Sequence, residues 1–108
     1  MSYSVFTIAY FDKQLKRLIK KYPSLRSEFS ELITSLKIDP TQGVSIGNGC
    51  YKIRISIASK GKGKSGGARV ITYVTITENS IFLLSIYDKS EQEDISDKEL
   101  LRLLDVIR

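Results

Sequence analysis

Two hydrophobic periods alternate along this chain, and the switches between them divide it into elements. "SYSVFTIAY" (2–10) is rich in β-branched and aromatic residues and reads as a strand. From Asp12 the period lengthens. Leu15, Leu18, Ile19 and Tyr22 recur at helical spacing among Lys13, Lys16, Arg17, Lys20 and Lys21. Pro23 ends that helix and can open the next, because proline suits a first helical turn. Leu25, Phe29, Leu32, Ile33 and Leu36 form a second apolar stripe, which stops near Asp39-Pro40. The two helices make a hairpin, most simply packed on a sheet.

The period then shortens. "TQGVSIGNG" (41–49) is a loop by composition. In "CYKIRISIA" (50–58), Tyr51, Ile53, Ile55 and Ile57 alternate with Lys52, Arg54 and Ser56. In "ARVITYVTIT" (68–77), Val70, Val74 and Ile76 lie on one face, and Arg69, Ile71, Tyr73 and Thr75 on the other. Glu78-Asn79 predicts a tight turn into "SIFLLSIYD" (80–88), whose unbroken apolar run marks a strand buried on both faces. After a polar connection, Ser96 and Glu99 fit a capping box. Leu100, Leu103, Leu104 and Ile107 predict a last helix running to Arg108. The expectation is one α+β domain over 1–108, with helices on one face of a mostly antiparallel sheet and the meander 50–58, 68–77, 80–88.

Composition narrows the class. The 108 residues carry 17 basic and 12 acidic side chains, a net charge of +5. A small basic domain points to a polyanionic partner. One cysteine permits no internal disulfide and suits a reducing cytoplasm. The N-terminal apolar run is too short for a signal peptide, and no stretch approaches a membrane span. No Cys/His cluster offers a zinc site, and no cofactor is expected. Cys50, with no histidine in the chain to activate it, reads as a packed thiol.

"SKGKGKSGGAR" (59–69) holds three lysines, an arginine and four glycines. Ala58 followed by Gly63-Lys64-Ser65 loosely fits a phosphate-loop pattern. Such a loop needs a helix behind it, whose free N–H groups cradle the phosphates. Here Gly66-Gly67 and a β-branched strand follow, so the sequence argues against nucleotide binding. The stretch alone reads as a glycine-rich hairpin loop with solvated lysines. Sheet parity adds meaning. If the isoleucines and valines of the first two meander strands share the core, Lys52, Arg54, Arg69 and Tyr73 share the opposite face. Ser85 and Tyr87 can join them. Lys60, Lys62 and Lys64 would overhang one end, with Lys89 just beyond Tyr87. An uncovered basic face with tyrosines suits RNA, since the cations meet phosphates and the rings stack on unpaired bases.

The segment "YKIRISIASKGKGKSGGARVITYV" followed by "IFLLSIYDKSE" resembles the RelE/HigB toxins of bacterial type II toxin–antitoxin modules, within the RelE/ParE superfamily, nearest the HigB-type branch with a lysine-glycine insertion. The resemblance covers nearly the whole chain. It implies a ribosome-dependent mRNA endonuclease (an mRNA interferase) that needs no metal and blocks translation. It also implies a cognate antitoxin, a helix-turn-helix protein that neutralises the toxin and alone contacts operator DNA. Carried over, the family's basic strand residues fall on Lys52 and Arg54, its central arginine on Arg69, and the end of its last strand on Tyr87 and Lys89. The catalytic set expected is Arg69, Lys64, Tyr87, Lys89 and Arg54, with Lys52, Lys60, Lys62 and Tyr73 binding RNA. Many relatives place a tyrosine or histidine further on, where "SEQEDIS" has neither.

Cleavage without histidine requires O2′ to lose its proton, the charged phosphorane to be stabilised, and the leaving 5′ oxygen to be neutralised. Arginines stabilise such charge when preorganised. A lysine crowded by cations gives up its proton more readily, and Glu91 or Glu93 offers a base. Arg69 is expected to face outward, hold little of the core, and be the most costly residue to lose. Two other readings share the fold: a toxin that inhibits DNA gyrase by binding, and an inactive member acting as partner or corepressor.

Overall fold

A computed structural model describes residues 2–60 and 66–107. Lys62 and Lys64 lie outside the described residues. The elements are β1 (Ser4–Thr7), α1 (Ala9–Lys21), α2 (Leu25–Ile38), β2 (Val44–Gly47), β3 (Cys50–Ile55), β4 (Ala68–Thr75), β5 (Ser80–Asp88) and α3 (Asp97–Leu104). The strands form one sheet in the order β1-β5-β4-β3-β2. β1 runs parallel to β5, and the other pairings are antiparallel. The α+β expectation and the meander hold.

Several boundaries differ from the sequence reading: β3 stops at Ile55 rather than 58 and β4 at Thr75 rather than 77, and three further differences have a clear physical reason. α1 begins at Ala9, inside the expected first strand, because Phe11 joins Leu15, Leu18 and Tyr22 on one helical face and is fully buried. The expected loop 41–49 contains β2. Its two-residue connection to β3 is Asn48-Gly49, with φ of 57° and 75°. Both residues sit in the left-handed region that a tight hairpin turn demands. The last helix ends at Leu104 rather than Arg108. Its capping box is present: the Ser96 hydroxyl oxygen accepts the Glu99 N–H at 3.1 Å.

The core lies where the helical hairpin meets the sheet, with Phe11, Leu18, Leu25 and Leu36 against Ile53, Val70, Ile81, Leu83 and Ile86. β1 pairs with β5 only as far as Leu83, leaving the edge of β5 open beyond it. Gln14 of α1 closes that edge: its Oε1 accepts the Ile86 N–H at 3.0 Å and the Ser85 hydroxyl at 3.2 Å. The Leu100, Leu103 and Leu104 side chains of α3 are buried, and Ile107 meets Tyr73 and Phe82 across a shallow cleft. Among the described residues, no helix is long and apolar enough to cross a membrane.

Candidate RNA-binding cleft

Register builds the site. Arg54 lies opposite Arg69, and Arg69 opposite Tyr87, so the three form one row across β3, β4 and β5. Lys52 follows in the next row with Ile71. Directly opposed side chains share a face, so sheet parity unites Lys52, Arg54, Arg69 and Tyr87. Opposing two arginines in adjacent strands costs stability through like-charge repulsion. A fold tolerates such a local conflict most readily where a site needs it. Lys52, Arg54, Arg69 and Lys89, with Gly43, Val44, Glu93 and Asp94, line an open cleft of about 440 Å³.

The face is less open than its sequence implies. Ile71, which alternation places on the same face as Arg69 and Tyr73, is fully buried. The segment after β5 folds back over the basic row. Asp94 Oδ1 accepts from Lys52 Nζ at 3.2 Å, from the Tyr87 hydroxyl at 3.5 Å and from the Ile95 N–H at 2.8 Å. Lys89 Nζ lies 3.3 Å from Glu93 Oε2. Arg54 is exposed and has no carboxylate partner among the described residues.

Arg69 departs from the expected surface position. It is only 9% exposed, and its Nη1 donates to the Gly66 carbonyl at 2.6 Å and the Ala68 carbonyl at 3.3 Å. Backbone carbonyls just ahead of β4 and at its first residue therefore fix the guanidinium fork in the cleft wall. Tyr87 is buried beside the Asp94 carboxylate. Burial, then that negative charge, pushes its hydroxyl up to about 12. Tyr87 is a hydrogen-bond donor here, held in the protonated form.

Two expected RNA contacts lie elsewhere. Tyr73 is four residues along β4 from Arg69, roughly 13 Å at strand rise, and packs 6.3 Å from the Phe82 ring at the sheet's far end. Lys60 turns to the opposite side of the sheet, where Asp88 is fully buried. Its Nζ lies 2.6 Å from Asp88 Oδ1 and donates to the Gly67 carbonyl at 3.3 Å. Asp88 also accepts from the Tyr22 hydroxyl at 2.7 Å and from the Ser90 hydroxyl and N–H at 2.7 and 2.9 Å. Burial would raise the Asp88 carboxyl, but the hydrogen bonds from Lys60, Ser90 and Tyr22 outweigh it and hold the group well below its usual range. The Lys89 N–H also donates to the Gly67 carbonyl at 3.1 Å. Gly67 has φ of +50°, and a Cβ there would run into the Ile55 carbonyl. The ends of the glycine-lysine loop are thus clamped to the end of β5 through Asp88. Among the weaker candidates, Glu91 pairs with Arg17 at 2.7 Å and Lys21 at 2.9 Å. Cys50 is fully buried. β4 begins at Ala68, directly after Gly66-Gly67, so no phosphate-loop helix follows there.

A family model described as the RelE toxin of the RelE/RelB toxin–antitoxin system matches residues 4–106. Among solved structures, an arginine-to-alanine double mutant of the Escherichia coli toxin RelE in the free state aligns over 100% of both chains, at 16% identity and TM-score 0.66. The RelBE2 toxin–antitoxin complex of Mycobacterium tuberculosis aligns over 82% of this chain and 99% of that one, at 13% identity and TM-score 0.59. The intact E. coli RelBE complex aligns over 81% and 96%, at 19% identity and TM-score 0.52. At these identities the structural likenesses speak for the fold.

Proposed function

This chain belongs to the RelE family of toxins, the toxin half of a toxin–antitoxin system, and we propose that it is a ribosome-dependent mRNA endonuclease. The observation that carries this reading is the convergence of Lys52, Arg54, Arg69 and Lys89 on one cleft, with two arginines opposed across neighbouring strands. Four cations on an open surface suit a bent phosphodiester, and the two guanidinium forks suit its equatorial oxygens.

In the reaction O2′ attacks phosphorus, the P–O5′ bond breaks, and the products are a 2′,3′-cyclic phosphate and a 5′-hydroxyl. Arg54 and Arg69 stabilise the dianionic phosphorane. Arg69, immobilised by its backbone carbonyls, does so with little reorganisation. Tyr87 donates a hydrogen bond to a phosphate oxygen once substrate replaces Asp94. Lys89, once released from Glu93, delivers a proton to O5′, and the O2′ proton passes to solvent in the open cleft. The ribosome supplies the bent RNA geometry that this shallow cleft does not impose, which lowers the demand on each residue.

An acidic antitoxin is the partner the charge favours. α1 presents Lys16 and Lys20, and α2 Arg26, around a groove floored by Leu15 and Ile19. Apolar anchors there would give affinity, while the net charge of +5 would speed association. Co-purification with the product of the neighbouring reading frame tests this: a 1:1 complex at moderate salt is expected, and its absence contradicts the partnership. For the enzyme, mRNA 5′ ends mapped after induction should show new cuts inside coding regions. Intact messages accompanied by altered DNA supercoiling would instead indicate gyrase inhibition.

A further inference from the structure

We propose that the segment Glu93–Asp94 is an autoinhibitory strap, with the Asp94 carboxylate seated in the position that an RNA phosphate takes in the proposed enzyme. The inference rests on the endonuclease reading and concerns how that same cleft is kept closed. Three contacts carry it. Asp94 Oδ1 sits on Lys52 Nζ at 3.2 Å, on the Tyr87 hydroxyl at 3.5 Å and on its neighbour's backbone N–H at 2.8 Å. A cation, a neutral hydroxyl and an amide N–H around one anionic oxygen is the donor set that binds a phosphate oxygen. Lys89, on the other wall, is engaged by Glu93 in the same way. Two of the cleft's four cations are therefore occupied by carboxylates from one short connection.

The strap is placed to yield. The Asp94 side chain is 58% exposed and that of Glu93 is 89% exposed, so solvent screens both ion pairs. Glu93 and Asp94 contribute no side chain to the core, whereas Ile95 beside them packs against it and Ser90 and Glu91 are bonded to Asp88, Arg17 and Lys21. The two carboxylates can therefore turn away by rotation of their own side chains while the backbone, with its Ile95 N–H, stays in place. Arg54, exposed and clear of the strap, would meet incoming RNA first, and displacement of Asp94 would then release Lys52 and Tyr87 beside the buried Arg69. Such a strap weakens binding of free RNA while a presented substrate can still displace it, which favours messages held on the ribosome over RNA met by chance.

The probe is a short, fluorescently labelled single-stranded 2′-O-methyl RNA, which lacks the nucleophile and cannot be cut, titrated with the purified chain at low and moderate salt. Asp94→Asn keeps the oxygen that the Ile95 N–H needs and removes the charge. It should bind about fivefold more tightly than the parent, the size of an exposed ion pair that no longer has to be broken. Its plot of log affinity against log salt should steepen by about 0.7, one added phosphate contact. Glu31→Gln, which removes an equal charge from the exposed surface of α2, should change neither quantity. If Asp94→Asn binds no tighter than the parent, or more weakly, while Arg54→Ala still abolishes binding, the strap is wrong and the endonuclease reading stands. If Glu31→Gln tightens binding as much as Asp94→Asn, net charge explains the gain and the strap is again wrong. If Arg54→Ala leaves binding unchanged, the cleft is not the RNA surface, and both readings fall.

Discussion

Two lysine–aspartate pairs lie on opposite faces of this sheet, and they have opposite roles. Lys60–Asp88 is 2.6 Å long, its side chains 9% and 0% exposed. Lys52–Asp94 is 3.2 Å long, its side chains 28% and 58% exposed. In sequence both lysines carry the same expectation, RNA binding, Lys52 from a strand and Lys60 from the glycine-rich loop. Burial separates them. The first pair is surrounded by hydrogen bonds from Tyr22 and Ser90 and closes the base of a loop. Removing one partner leaves a buried charge uncompensated. The second pair is solvated, cheap to break, and sits where charge is wanted for binding. The electrostatics that build the fold are thus hidden behind the sheet, and those available for function are on its open face.

The largest effect should come from the buried pair. Asp88→Ala should lower stability by about 3–5 kcal/mol, read by denaturant melting, because it strands Lys60. The pH dependence follows from the sign of the shift. The Asp88 carboxyl is held below its ordinary value near 3.8, so its contribution is complete above that value and fades as pH falls through and below it. The stability gap between the parent and Asp88→Asn should therefore be constant above about pH 5 and shrink in stronger acid. A gap that instead grew on acidification would contradict the assigned hydrogen bonding.

Next come the arginines. Arg69→Ala should reduce RNA cleavage by about 10²–10³, the usual cost of losing a preorganised charge-stabilising group. It should also lower the melting temperature, because Arg69 is buried and bonded to Gly66 and Ala68. That second expectation replaces the one read from strand alternation, in which Arg69 could be truncated without structural cost. Arg54, exposed, should lose activity with its melting temperature unchanged. A loss of stability in Arg54→Ala equal to that in Arg69→Ala would remove the distinction.

Tyr87→Phe should cost about fivefold in cleavage, one net hydrogen bond. With its hydroxyl pushed up to about 12, no step in the pH–rate profile below pH 10 should disappear with it. A lost basic limb in Tyr87→Phe would instead make the tyrosine the titrating group. The smallest effect is expected for Lys52→Ala on stability, at most about 1 kcal/mol, as for other exposed ion pairs. A larger loss would place the Lys52–Asp94 contact with the structural pair.

The order of elements was readable because period and punctuation agreed. Alternation marked β3 and β4, an unbroken apolar run marked β5, and Ser96-x-x-Glu99 marked the start of α3. β2 was missed because its residues look like loop residues. The informative signal was Asn48-Gly49 between Val44/Ile46 and Tyr51/Ile53, a tight-turn pair flanked by alternating apolar residues. The basic row was legible too, since parity alone unites Arg54, Arg69 and Tyr87. The strap was not. "DKSEQED" reads as a solvated connection, and nothing local to it says that Asp94 returns to Lys52, 42 residues earlier. Lys60 misleads for the same reason, because its partner Asp88 is 28 residues away and buried.

The central claim is that the open basic face cuts message, and Arg54 is the cleanest place to test it. The measurement is genome-wide mapping of mRNA 5′ ends after brief induction of the parent and of Arg54→Ala, with circular dichroism and melting showing that both are folded. The account predicts new 5′ ends within translated regions for the parent, their loss in Arg54→Ala, and growth arrest that tracks the cuts. An equally dense set of cuts from folded Arg54→Ala would contradict it, as would parent-induced arrest with messages left whole.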